Sequence, residues 1–100
     1  MAANDYHVVV YQILAYLYYC MKRGVEVNPR SIEKFKDESG VNGKYWELIW
    51  THLYQSKFVK DSCSNCRIAP LGIEYLLENS NMKMAWRFVI ESDLPKIASY

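Results

Sequence analysis

The sequence predicts a mostly helical α+β fold, and three observations carry it. Trp46, Ile49, Trp50 and Leu53 recur at i, i+3, i+4 and i+7, the spacing of one helical face, with Asn42 placed as an N-cap before them. Phe58-Val59 and Arg67-Ile68 flank a tip of Ser, Cys and Asn, which is how a β-hairpin is written. Just upstream, Asn28-Pro29 opens a short helix and Ser39-Gly40 closes it, two residues before the next helix begins. A short helix, a tight glycine turn, a second helix and a hairpin make a winged helix-turn-helix. The expectation is one domain over residues 1–100, with a two- or three-stranded wing sheet and a C-terminal helical extension over 82–100.

The first helix is expected over Asp5–Lys22, with Tyr6, Val10, Ile13, Leu14, Leu17 and Met21 on its inner face. Lys22-Arg23 suits the negative end of the helix dipole, and Gly24 can supply a left-handed stop. Tyr11, Tyr18 and Tyr19 fall away from that face. They read either as rings lying flat with hydroxyls in water or as a contact surface. Val25-Glu26-Val27 is short and extended, a candidate third strand. In the second helix Ile32 and Phe35 point inward, and the mixed charges around them form a solvated face. Val41 plugs the turn. On the third helix Lys44, Glu47, Leu48, Thr51 and Gln55 point outward. The fourth helix starts at Pro70-Leu71 with Ile73, Leu76 and Leu77 inward, and Asn79-Ser80-Asn81 breaks it. The fifth runs from Met82 to Glu91, with Lys83, Arg87 and Glu91 as its one polar stripe. A last turn is expected near Leu94-Pro95. Trp46, Ile49, Leu53, Leu76 and Leu17 are the expected core.

The order of elements, the Tyr45, Trp46, Ile49, Leu53 pattern and above all IAPLGIEYLLENSNM (Ile68 to Met82) resemble YjcQ-like proteins, small winged-helix proteins of Gram-positive bacteria and their phages. The likeness spans roughly Val9 to Glu91 and is most specific at Gly72-Ile73-Glu74-Tyr75-Leu76 with Glu78-Asn79-Ser80. It implies the fold and a DNA-binding role, and it carries no binding residues with it. Ala69 departs from the pattern, where the family often places a Thr able to cap the fourth helix.

Function narrows by elimination. The formal net charge is +1, so no global basic field announces nucleic acid. Residues 42–68 nevertheless hold Lys44, Lys57, Lys60 and Arg67 against Glu47 and Asp61, while the two flanks balance at zero and −1. The small excess thus falls on the third helix and the wing. Lys44, Thr51 and Gln55 are the candidates for base edges, Lys60 and Arg67 for phosphates. No nucleophile, base and orienter come together, no glycine-rich phosphate loop is present, and no carboxylates pair in an apolar setting. The expectation is a protein that is not an enzyme and needs no cofactor. Its expected partner is double-stranded DNA, as a transcriptional regulator of bacterial or prophage origin. The alternative is a protein-interaction module on the same scaffold, suggested by Leu48 and Glu47 on the reading face. No small-molecule substrate is evident.

Cys63 and Cys66 form a CxxC at the hairpin tip, but a zinc site wants four ligands and no second pair accompanies them. A wing tip holding two thiols is the simpler reading. Three cysteines without a secretion signal point to a cytoplasmic protein with reduced thiols. No run is dry enough to span a membrane. The fifth helix is apolar around most of its circumference, so it needs cover. The expectation is a homodimer through Tyr11, Tyr19, Met84, Trp86 and Phe88; the alternative is mutual cover by the first and fifth helices within one chain.

Overall fold

The computed structural model describes residues 5–62 and 65–91, with the backbone alone at 61, 62, 65 and 88–91. Five helices and one hairpin follow in the order α1 (Tyr6–Arg23), α2 (Pro29–Ser39), α3 (Gly43–Gln55), β1 (Val59–Ser62), β2 (Asn65–Ile68), α4 (Pro70–Glu78) and α5 (Ser80–Glu91). The architecture is mostly helical with a small antiparallel two-stranded sheet, paired Val59 to Ile68, Lys60 to Arg67, Asp61 to Cys66 and Ser62 to Asn65. The expected last turn near Leu94-Pro95 lies outside the described residues.

Helix ends follow local chemistry. Asp5, Asn28 and Asn42 cap α1, α2 and α3 by accepting from the backbone N–H groups of His7, Arg30 and Tyr45 at 2.9, 3.0 and 2.9 Å. Gly24 and Gly40 close α1 and α2 at φ of +66° and +71°. α3 ends on the same kind of turn, but its left-handed residue is Lys57 at φ +61°. There Phe58 N–H reaches back to the Leu53 carbonyl at 3.0 Å, and Lys57 N–H to that of Tyr54 at 3.1 Å. Ala69 precedes α4 without any side-chain cap, and Pro70 at the first position has no N–H to satisfy. α5 starts two residues earlier than expected. Asn79 takes an extended conformation, and its side chain accepts from Asn81 N–H at 2.8 Å. The residue that breaks α4 is therefore the cap of α5.

α1 is the axis of the molecule. It packs against α5 most extensively, and also against β2, α2 and α4. Every residue from Val8 to Leu17 is consequently buried, not one face alone. Tyr11, placed on an outward face by periodicity, is 5% exposed, and Val8 and Ala15 beside it are buried as well. Gln12 is fully buried, with its side-chain oxygen accepting from Ser39 Oγ at 3.2 Å across to the end of α2. Met21, expected inside, is 48% exposed because it lies past the last covered turn, and Cys20 is buried in its place. Leu77 is likewise exposed, while Leu76 carries the inner side of α4. On α3, Ile49 and Leu53 are fully buried, whereas Trp46 and Trp50 are only half-buried. The two indoles meet edge to face, with centroids 6.1 Å apart, and form a rim on the core rather than its centre.

Val25-Glu26-Val27 does not form the third strand. Val25 N–H is bonded to the Cys20 carbonyl at 3.0 Å as part of the turn that ends α1, so it is unavailable to β2. Asn28 N–H then donates to the Tyr16 hydroxyl at 2.9 Å, which fixes the start of α2 on α1. Gly72 is the tightest point of the fold. A Cβ there would strike the Phe58 carbonyl oxygen and lie 2.9 Å from Ile68 Cγ1. That carbonyl already accepts from Ala69 N–H at 2.8 Å. α4 is thereby pressed onto the base of the hairpin.

Candidate nucleic-acid interface

α3 presents a row that the core does not use. With Ile49 and Leu53 inward, the helical repeat turns Lys44, Glu47, Leu48, Thr51 and Gln55 to solvent, and all five are exposed. Leu48 is 52% exposed, which is costly for a leucine unless something covers it. Tyr54, one turn beyond Trp50, is 40% exposed with its ring 6.0 Å from that indole. The outward side of α3 thus combines a lysine, two polar side chains, a carboxylate and an apolar contact.

The hairpin adds a second set. Val59 and Ile68 oppose each other and are buried, so the next pair along the ladder, Lys60 opposite Arg67, falls on the other face. Both are exposed. Like charges directly opposite on a ladder repel. Among the described residues no carboxylate pairs with either cation, and the ion pair there is Lys34–Glu38 on α2, at 3.9 Å. Arg67 also borders a cleft of about 330 Å3 with Cys66, Glu26 and Gly24, between β2 and the end of α1. The backbone pairing thus holds the two hairpin cations side by side, with no described carboxylate within ion-pair distance of either.

The remaining sequence candidates separate. Cys66 is half-buried opposite Asp61, while Cys63 lies outside the described residues. Among the described residues no three His, Cys, Asp or Glu side chains gather as metal ligands. Cys20 is buried beside Tyr16, and burial pushes its thiol up. Tyr6 Oη lies 3.4 Å from His52 Nδ1, joining the start of α1 to α3. Of the residues expected at a dimer interface, Met84 and Trp86 are 56% and 42% exposed, Tyr19 is half-buried, and Phe88 has no described side chain. Tyr11 is covered by its own chain, which leaves Tyr19, Met84 and Trp86 as the described residues of that set with surface to offer.

Sequence reading grouped Tyr11, Tyr19 and Trp86 as an interface but did not show the groove they line. α1, α4 and α5 enclose a groove of about 310 Å3, walled by Tyr11, Tyr18, Tyr19, Leu77 and Trp86 and edged by Lys22 and Lys83. Its other legible sign was the surplus of tyrosines on α1 next to Lys22.

Among the described residues no helix is long and apolar enough to cross a membrane. Compared with known protein families, curated proteins and solved structures, the chain matches none.

Proposed function

We propose that this chain is a winged-helix protein that binds double-stranded DNA, with α3 as the reading helix and the β1–β2 hairpin as the wing. The observation that carries the proposal is the Lys60–Arg67 pair on the solvent side of the hairpin, which no carboxylate neutralises among the described side chains. Two cations set opposite each other cost stability when nothing sits between them, and a phosphate repays that cost. The exposed row of Lys44, Thr51 and Gln55 supplies donors of the kind that meet base edges. The succession of α2, a glycine turn, α3 and hairpin is the order of a winged helix-turn-helix. The resemblance to YjcQ-like proteins points the same way, and a transcriptional regulator is the role it suggests.

A second reading has its own support. Leu48 at 52% exposure beside Glu47 suits a protein partner better than a phosphate backbone. On this reading the scaffold binds another protein through the same side of α3.

Titration of random-sequence duplex DNA at two salt concentrations decides between them. DNA binding predicts an affinity that falls with salt. Lys60→Ala with Arg67→Ala should weaken it on every sequence and lower the log–log salt slope by about two, close to one per phosphate contact. Absence of binding at low salt overturns the DNA reading. A salt slope unmoved by the double substitution removes the wing from it.

A further inference from the structure

The groove between α1, α4 and α5 has the make-up of a small-molecule site, and nothing in the DNA reading uses it. We propose that it binds an amphipathic anion, a carboxylate or sulfonate on an aliphatic or aromatic body. The volume of about 310 Å3 lies at the lower end of the range for ligand pockets, roughly 300–1,000 Å3. The walls are Tyr11, Tyr18, Tyr19, Leu77, Met82 and Trp86, so the body of the ligand meets apolar and aromatic surface. Leu77 and Trp86, at 51% and 42% exposure, are large apolar side chains left in water that such a ligand would cover.

Charge selects the head group. Among the described residues, Lys22 and Lys83 are the charged side chains that line the groove, one from each side, and no carboxylate lines it. A cationic ligand would meet two ammonium groups with nothing to balance it, while an anion meets both favourably. Lys22 is also placed, since its Nζ sits 5.2 Å from the centroid of the Tyr18 ring. Tyr11 adds a neutral donor. Burial pushes its hydroxyl up to about 12, so it keeps its proton, and it has no hydrogen-bond partner among the described residues. The pattern is an apolar slot with a few convergent polar groups, in a crevice between helices.

The test uses the full chain and 8-anilinonaphthalene-1-sulfonate as fluorescent probe, with decanoate and decylammonium as competitors. The expected result is saturable one-to-one binding that decanoate displaces and decylammonium does not. Lys22→Gln with Lys83→Gln should weaken probe and decanoate roughly threefold to tenfold, the worth of two exposed ionic contacts. Trp86→Ala should weaken both as well, and because Trp86 is partly exposed that variant keeps the fold. Lys44→Gln with Lys60→Gln serves as a charge-matched control and should leave the affinity unchanged. The proposal is overturned by absence of saturable binding, by equal displacement with decylammonium, or by groove variants that bind like the parent. It is also overturned if sedimentation equilibrium finds a dimer that excludes the probe, since the groove would then hold a second copy of the chain. Because the readout involves no DNA, failure here leaves the DNA reading standing, and the reverse holds too.

Discussion

Gly72 is irreplaceable for a reason visible at the scale of single atoms. Its missing side chain makes room for the Phe58 carbonyl, which is pinned by its bond to Ala69 N–H and cannot retreat. Gly72→Ala should therefore cost roughly 1–3 kcal/mol, the usual penalty of overpacking, measured by urea denaturation. Lys57 presents the opposite case. It holds a left-handed conformation at the end of α3 that glycine adopts freely. Lys57→Gly should raise stability by about 0.5–1 kcal/mol, and a loss would mean that the lysine side chain is making a contact there. Leu53→Ala, at a fully buried position, should cost ~2–5 kcal/mol. Tyr11 makes a prediction in pH. Its folded pKa of about 12 lies above the ordinary tyrosine value of 10.0, so the unfolded chain loses its proton first. The stability from the neutral buried phenol is complete below pH 10 and is lost as pH rises through 12. Tyr11→Phe should flatten that alkaline loss in denaturation curves taken across this window.

At the scale of elements, what the sequence disclosed depends on how far the physics reaches along the chain. The caps on α2 and α3 were legible, because an asparagine side chain reaches its own helix within three residues. The exposed row of Lys44, Thr51 and Gln55 was legible too, since one buried pair, Ile49 and Leu53, fixes the rotation of a helix. Periodicity marks where apolar side chains recur, however, not whether a neighbour reaches them. It put Met21 and Leu77 inside, where no described element covers them, and it left Tyr11 outside, although its own chain buries it. The third strand failed for a similar reason: Val25 looks extended, but its N–H is spent on the turn after α1. Asn79 reads in the sequence as a helix breaker only, although its side chain also caps α5. Asn79→Ala should thus lower stability by about 1 kcal/mol, with the loss read in a thermal melt. Tyr11, Tyr19 and Trp86 were legible as one surface, but the groove they line was not, because its shape depends on how α1, α4 and α5 pack.

At the scale of the whole molecule, the balance of charge makes a prediction about conditions. With a net charge of +1, the proposed attraction to DNA would come from the local set on α3 and the hairpin rather than from the overall field. Binding should therefore be weak at physiological salt and respond to Lys60 and Arg67 far more than to the distant Lys34 or Lys36, which substitution of each pair would reveal. The enclosure of α1 has a further consequence, in the order of events during synthesis. α1 is made before α5, its most extensive partner, and α2, α3, the hairpin and α4 all lie between them in the chain. Contacts this distant in sequence are slow to close, and the early apolar helix must wait for them. Until then Val8, Tyr11 and Ala15 stand open to solvent and to any holdase nearby, so the nascent chain stays vulnerable until α5 has been made.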